Sequence, residues 1–149
     1  MTKPTTNARR RWVMGKMATV FLTWRRHLQR LLLPEKITLK QAYVLRELTR
    51  NDYLCPSQIA AQLYCDRPTA TVIIRNMQKA GWVAKEKDET NRKFVRISIT
   101  EAGRQKRAAL DACSRTQTDF DPLAYLTDEE AQEFERLLDK INAHIMVLR

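Results

Sequence analysis

Apolar residues near both ends of the chain recur in steps of four and three, and this spacing is the strongest constraint on the fold. Such steps line up side chains on one face of a helix, as in a coiled coil. The first set is Met17, Phe21, Trp24, Leu28 and Leu31, and the second is Phe134, Leu138, Ile141, Ile145 and Leu148. The pattern therefore predicts two long helices that bracket the chain.

Flanking residues set the limits of these two helices. The first is expected over residues 8–33, because Pro34 disfavours helical geometry in the residue before it. The second begins after Thr127, a residue type that caps helices, ahead of the acidic first turn 128–130. The apolar faces either pack together within one subunit or interdigitate with a second copy. Their length and width favour a homodimer. The predicted dimer contacts are Met17, Phe21, Trp24, Phe134, Leu138, Ile141 and Ile145.

Between the long helices the chain is divided into short elements. Thr38, Asp66 and Thr100 are suitable N-caps, and Pro56 and Gly81 mark a helix start and a helix end. The predicted order is a helix over 39–50, a helix over 57–63, a helix over 67–80, strands over 82–87 and 93–99, and a helix from 101 toward 118. This order predicts a mainly α fold, a winged helix-turn-helix with a small β-hairpin as the wing.

The apolar positions of the short elements define a candidate core. They are Ala42, Leu45, Leu48, Ile59, Ala60, Leu63, Ala70, Ile73, Ile74, Met77, Val95, Ile97 and Ile99. The predicted organisation has three parts: a dimerisation helix at 1–36, a winged helix-turn-helix at 37–103, and C-terminal dimerisation helices at 104–149.

The charge distribution points to a polyanionic partner. The chain has a net charge of +10, with 12 Lys/Arg against 2 Asp/Glu in residues 1–50 and 7 against 10 in residues 101–149. Such a field attracts nucleic acid or an anionic membrane surface, although it also serves solubility alone. No apolar run reaches the roughly 18 residues of a membrane span, and we expect a cytoplasmic protein without membrane contact.

The second helix of a helix-turn-helix places its N-terminal residues against base edges in the major groove of double-stranded DNA. The outward positions of the predicted helix carry an arginine suited to guanine and hydroxyls suited to phosphates or bases. The predicted recognition residues are Arg67, Thr69, Thr71, Val72, Arg75 and Asn76. Further phosphate or minor-groove contacts are predicted from Ser57, Lys85, Lys87, Arg92 and Lys93.

The chain resembles the MarR family of transcription regulators from about residue 37 to residue 103. The stretches 39–45, 57–60 and 66–71 resemble the family's "LTxxQ" helix opening, its "sxLA" segment and its recognition helix. Residues 79–83 resemble "kaGlV" before the wing, and residues 99–103 resemble "LTexG" after it. The joint order of these motifs is specific, and the resemblance implies a dimeric, DNA-binding regulator, expected to be a repressor.

The wing departs from the family's usual Asp-x-x-Asp-Arg-Arg pattern, in which an acidic residue and an arginine brace the hairpin. This chain has Asn91 and Lys93 at two of those positions. Asparagine lacks the carboxylate and lysine lacks the guanidinium fork. The sequence therefore leaves the bracing of this wing open.

Many regulators of this family sense small molecules, so the resemblance also implies an effector. Trp12, Met17, Phe21 and Tyr43 are apolar residues near the predicted junction of the dimer helices and the winged helix, and the arginines at 9–11 would attract a carboxylate. These residues form a possible pocket for a small aromatic or anionic molecule, or they simply fill the core.

Other classes of function find little support. The two histidines and three cysteines show no metal-ligand spacing, and scattered carboxylates offer no nucleophile with a base, so we expect no metal, no cofactor and no catalysis. Cys55, Cys65 and Cys113 are interpreted as reduced thiols, with a redox role left open. Two alternatives remain, a non-specific architectural nucleic-acid binder and a winged-helix protein-interaction module.

Overall fold

A computed structural model describes residues 6–88, 90, 91, 93–116 and 122–147 of the protein. Within these residues the elements are α1 (Asn7–Leu32), α2 (Leu39–Arg50), α3 (Pro56–Gln62), α4 (Arg67–Lys79), β1 (Val83–Lys87), β2 (Val95–Ile99), α5 (Glu101–Thr116) and α6 (Asp128–Val147). The chain divides into two compact units, one up to Thr116 and one after it. This mainly helical winged fold confirms the predicted fold class.

The first unit is built around α2. Thr38 forms a capping box with Gln41: the Gln41 amide donates to Thr38 Oγ1 at 3.2 Å, and the Thr38 amide donates to Gln41 Oε1 at 2.9 Å. The helix buries Leu45 and Leu48 as predicted, and it also buries Val44. Ala42 packs against the core while it stays partly exposed. Apolar side chains of α3, α4, the strands and α5 complete this core, namely Ile59, Ile74, Met77, Val83, Ile97 and Leu110.

The wing is an antiparallel hairpin in which Val83 pairs with Ile99 and Lys87 pairs with Val95. A single β-bridge, absent from the sequence prediction, joins Leu54 to this hairpin. The Leu54 amide donates to the Ile97 carbonyl at 2.9 Å, and the Ile97 amide donates back at 2.9 Å. This pair fixes the base of the wing to the segment between α2 and α3.

The start of α5 is tied to the end of the recognition helix. Gly81 ends that region with a φ of +77°, a conformation that favours glycine. The Thr100 hydroxyl donates to the Gly81 carbonyl at 2.5 Å, and the Thr100 amide donates to the Trp82 carbonyl at 3.0 Å. The Gly103 amide in turn donates to Thr100 Oγ1 at 3.1 Å, which confirms Thr100 as the N-cap of α5.

The long helix α1 has 26 residues, close to the predicted range, and none of its side chains is buried. Large apolar groups remain exposed, with Trp12 and Val20 at 61% and Phe21 at 53%. Its C-terminal end reaches the core through Leu32. In a single copy of the chain these apolar residues are therefore in contact with water.

The second unit contains α6, which Thr127 caps as predicted: the Glu130 amide donates to Thr127 Oγ1 at 3.3 Å. Phe134, Leu138 and Ile145 are exposed and Ile141 is half-buried, whereas Leu148 lies outside the described residues. Among the described helices, none is both long enough and apolar enough to cross a membrane.

Candidate nucleic-acid interface

The recognition helix α4 separates a buried face from an exposed polar face. Ala70, Ile74 and Met77 point into the core. All six predicted contact residues are exposed, namely Arg67, Thr69, Thr71, Val72, Arg75 and Asn76. The helix therefore presents two arginines, two threonines, an asparagine and a small apolar residue together, which is a set able to read base edges.

The N-terminus of α4 is fixed by Asp66. The Thr69 amide donates to the Asp66 carboxylate at 2.8 Å. The hydrogen bonds from the Thr69 side chain and amide, with a smaller contribution from the Lys40 charge, hold the pKa of Asp66 below its ordinary value. Lys40, at the start of α2, thus adds a cation beside the recognition helix that the sequence prediction missed.

Thr71 differs from the other polar groups of α4, because its hydroxyl donates to the Arg67 carbonyl at 2.9 Å. A hydroxyl has one hydrogen, so Thr71 Oγ1 is left to accept a hydrogen bond. In DNA the exposed amino groups of adenine and cytosine are donors, whereas phosphate oxygens only accept. The geometry favours a base contact over a phosphate contact at this position.

The short helix α3 carries the remaining predicted contact of the helix-turn-helix. Ser57 is exposed in its first turn. The Cys55 amide donates to Gln58 Oε1 at 2.7 Å and begins the helix. Cys55 and Cys65 are free, half-buried thiols, and the side chain of Cys113 lies outside the described residues. The redox role of all three stays open.

On the wing, Lys85, Lys87 and Lys93 are exposed, as a phosphate-binding surface requires. Arg92 lies outside the described residues, so its predicted contact remains a prediction. The Lys93 amide donates to Asn91 Oδ1 at 3.2 Å, and the Phe94 amide donates to the Asn91 carbonyl at 2.7 Å.

The structure answers the open question of how the wing is braced. Asp88 accepts from the Thr90 amide at 2.8 Å, the Thr90 hydroxyl at 2.5 Å and the Asn91 amide at 3.1 Å, and it forms an ion pair with Arg96. The hydrogen bonds from Thr90 and then Asn91, assisted by the Arg96 charge, lower the pKa of Asp88 to about 2. Arg96 thus supplies a guanidinium although Lys93 does not, a role that sequence analysis missed.

A cleft of about 500 Å³ lies between α1, α2 and α5. Phe21 and Tyr43, two of the four residues predicted for a ligand pocket, line it together with Trp24, Arg25, Arg46 and Arg107. Trp12 and Met17 are not among the residues that line this cleft. Trp12 lies earlier on α1, where the Lys16 ammonium stacks on its ring at 3.9 Å. The cleft thus includes two of the four predicted residues, and the ligand pocket stays a prediction.

Within the described residues, no group of three or more His, Cys, Asp or Glu side chains is placed to hold a metal ion. His144 is exposed and His27 is half-buried. Exposed arginine, lysine and threonine side chains lie on α4 and on the hairpin. Fold and surface together define a winged helix-turn-helix protein.

Comparison with known proteins agrees with this class. The sequence model of the MarR family matches residues 37–95. The regulator PecS of Dickeya dadantii (strain 3937) is 24% identical over 139 residues, which are 90% of this chain and 82% of PecS. The repressor Mb2911 of Mycobacterium bovis is 26% identical over 110 residues, which are 74% of this chain and 78% of Mb2911.

Solved structures show the same fold. A mutant MarR from E. coli, crystallised in complex with operator DNA, superposes with a TM-score of 0.76 at 20% identity, covering 92% of this chain and 99% of that one. Residues 37–95 are therefore similar to the MarR family, as the sequence motifs predicted. The relatives PecS and Mb2911 are transcriptional regulators and not enzymes.

Proposed function

We propose that the protein is a homodimeric repressor that reads a pseudo-palindromic operator through α4 and is released by a small aromatic or anionic molecule. The observation that supports this proposal most strongly is that all six predicted contact residues on α4 are exposed, whereas Ala70, Ile74 and Met77 of the same helix are buried. A repressor among its relatives and an operator complex among its structural neighbours support this assignment.

The first experiment identifies the DNA sites that the protein binds. Genomic fragments that bind the protein are sequenced, and the recovered site then competes with random DNA at two salt concentrations. Specific binding should exceed random binding by about 10³-fold or more, with half-sites roughly 10 base pairs apart. Equal affinity for both DNAs would favour an architectural binder. Absence of DNA binding at low salt would favour a protein-interaction module.

Two arginines separate base reading from phosphate binding. Arg75→Ala should cost about 1–3 kcal/mol at one operator position and relax sequence preference there. Arg92→Ala should weaken binding to all sequences and reduce the salt slope by about one unit. Identical effects of the two changes would contradict this division of roles.

The exposed apolar residues of α1 and α6 support the dimer. An isolated α1 keeps Trp12, Val20 and Phe21 in water, and α6 keeps Phe134 and Ile145 there. A two-fold dimer removes such faces from water on both copies at once. It also presents two recognition helices to a site of two-fold symmetry.

Charged substitutions on α6 test the dimer. The double change Phe134→Glu and Leu138→Glu should give monomers in analytical sedimentation and far weaker operator binding. Gln132→Glu, at a polar exposed position of the same helix, is the matched control and should stay dimeric. A wild-type protein that sediments as a monomer at micromolar concentration would end the proposal.

The cleft between α1, α2 and α5 supports the effector. Its wall is largely apolar and includes Arg25, Arg46 and Arg107. Arg107 pairs with Asp111, which also lines the cleft, at 2.7 Å, and Arg46 pairs with Glu47 at 3.1 Å. The Arg46 guanidinium lies 4.4 Å from the centre of the Tyr43 ring, so a cation and an aromatic face are adjacent. An aromatic carboxylate matches both groups. A ligand that prefers one arrangement of the dimer would shift the population away from the DNA-compatible one, and DNA would weaken ligand binding by the same factor.

Salicylate and benzoate are suitable probes for this cleft. Titrated into the protein–operator complex, they should lower operator affinity in the wild type and lose this effect in Arg46→Ala. Arg50→Ala is the matched control, because Arg50 lies on the same helix, also pairs with Glu47, at 3.8 Å, and does not line the cleft. A broad panel of aromatic acids without effect would remove the sensor role and leave the DNA-binding role intact.

A further inference from the structure

Arg96 on β2 is held by two different groups at the base of the wing. Its guanidinium pairs with the Asp88 carboxylate and stacks over the Tyr53 ring, with 4.6 Å between the guanidinium carbon and the ring centre. The side chains of Arg96 and Asp88 are 44% and 12% exposed, so the pair is partly shielded from water. A planar guanidinium can pair at its edge and stack on its face at the same time, which an ammonium cannot do.

Tyr53 belongs to the body of the domain rather than to the hairpin. It precedes Leu54, which forms two hydrogen bonds with Ile97 of β2. Its ring also meets Phe94 edge to face, with centres 6.5 Å apart and planes at 82°. Arg96 therefore connects the body, through Tyr53, to the turn of the hairpin, through Asp88.

Asp88 controls the turn that carries the wing cations. Its carboxylate accepts the amides of Thr90 and Asn91, and Asn91 in turn accepts the amide of Lys93. Each of these hydrogen bonds restrains a residue that lies further along the turn. The position of the Asp88 carboxylate therefore determines where Lys93 leaves the hairpin.

We propose that Arg96 is a positioning residue for DNA binding, which locks the tip of the wing to the body through Asp88 and Tyr53. In this chain Arg96 replaces the brace that Asn91 and Lys93 cannot form. The proposal rests on the proposed DNA-binding function. It assigns Arg96 no contact with DNA, and this separates it from an ordinary phosphate-binding arginine.

The cross-strand neighbour of Arg96 provides the matched control. Glu86 pairs with Arg96 in the hairpin register, so it is a second carboxylate on the neighbouring strand. Arg96 forms its ion pair with Asp88 instead. Asp88→Asn and Glu86→Gln remove the same charge from the same hairpin, but only the first removes the brace.

The sign of the Asp88→Asn effect tests the proposal. Loss of a negative charge beside a DNA-binding surface ordinarily strengthens binding. In Asp88→Asn, the new side-chain oxygen can still accept hydrogen bonds from the Thr90 and Asn91 amides, but the ion pair with Arg96 is lost. We expect Asp88→Asn to weaken operator binding about fivefold, within the range of coupled contacts, and Glu86→Gln to leave it unchanged or strengthen it. Equal or tighter binding by Asp88→Asn would overturn the proposal.

A double-mutant cycle separates positioning from direct contact. Lys93→Ala should weaken binding in the wild type and have a much smaller effect in Arg96→Ala, because the tip is then no longer held. Arg75→Ala should have the same effect in both backgrounds. If Arg96 instead contacts a phosphate, its loss should add to that of Lys93 and lower the salt slope by about one unit, which would also overturn the proposal.

Folding and function controls complete the experiment. Arg136→Ala removes an arginine that pairs with Glu133 at 2.7 Å on α6, in the second unit of the chain, and should bind DNA as the wild type does. Arg96→Lys keeps the charge and should behave like Arg96→Ala. If Arg96→Ala does not fold, as judged by thermal melting, the Asp88→Asn and Glu86→Gln pair decides alone. A wild type that binds no DNA would refute the proposed function, whereas a wild type that binds DNA with an unaffected Asp88→Asn would refute only the brace.

Discussion

Gly103→Ala should destabilise the junction between the wing and α5. A Cβ on this residue would lie 2.1 Å from the Trp82 carbonyl oxygen, 2.8 Å from Ile99 Cγ1 and 3.0 Å from the Trp82 carbonyl carbon. Two of these three atoms are backbone. The oxygen also accepts the Thr100 amide at 3.0 Å, so it cannot retreat without loss of that hydrogen bond.

The expected magnitude follows from opposing contributions. Alanine gains about 1 kcal/mol over glycine inside a helix. Overpacking in a filled site costs about 1–3 kcal/mol, and loss of one hydrogen bond costs about 1 kcal/mol more. The net free energy of unfolding should therefore fall by about 2 kcal/mol.

Urea denaturation followed by circular dichroism measures this change, at one protein concentration because dimerisation alters apparent stability. Gly15→Ala in α1 is the matched control, since a Cβ there meets nothing within 4 Å. It should raise stability by up to about 1 kcal/mol. The two substitutions are chemically identical, so the reasoning fails if Gly103→Ala shifts the urea midpoint in the same direction as Gly15→Ala.

Three further substitutions or conditions test the core, a helix cap and the wing. Leu45 is fully buried, so Leu45→Ala should lower the unfolding free energy by about 2–5 kcal/mol in urea titrations; a loss below 1 kcal/mol would contradict the packing. Thr38→Ala removes the capping box of α2 and should cost about 1 kcal/mol in the same assay, whereas Thr49→Ala, near the end of that helix, should cost less. The lowered pKa of Asp88, about 2, means that the stabilisation from its charge is present above its ordinary pKa of 3.8 and is lost as the pH falls through 2. The stability difference between wild type and Asp88→Asn should therefore be constant from pH 8 to pH 5 and should shrink between pH 4 and pH 2; a decline already at pH 6 would contradict it.

Local sequence patterns were sufficient to predict the helices and the hairpin. Thr38, Asp66 and Thr127 were predicted as caps, and each accepts the amide three residues later. The periodic apolar residues of α4 placed Ala70, Ile74 and Met77 inward. Capping and periodicity act within one or two helical turns, so the chain itself displays them.

The exposed face of α4 was predictable for the same reason. Once the buried face of an amphipathic helix is known, the outward residues follow from its period of 3.6. Arg67 and Arg75 lie on that outward face. The hydrogen bond from the Thr71 hydroxyl to the Arg67 carbonyl is also local. It could not be predicted, because the orientation of the hydroxyl depends on a side-chain rotamer that the sequence does not specify.

Contacts between distant segments were decided by the tertiary structure alone. Leu54 forms a β-bridge with Ile97, 43 positions later in the chain, and a single residue has no periodicity from which the sequence could predict it. Lys40 and Asp66 lie close enough for the charge of Lys40 to lower the pKa of Asp66. Neither relation follows from neighbours along the chain.

The sequence by itself determined a winged helix-turn-helix with motifs that resemble the MarR family, the outward polar face of α4 and the two apolar faces, because these depend on local period, capping and motif order. The tertiary structure decided that Arg96 pairs with Asp88 and stacks on Tyr53, and that the cleft is lined by Phe21 and Tyr43 rather than by Trp12. For an outward residue on a strand, the sequence pattern predicts only that the side chain faces solvent. Which carboxylate and which ring it meets depends on the twist of the hairpin and on the bridge between Leu54 and Ile97, and both are set when the whole domain packs.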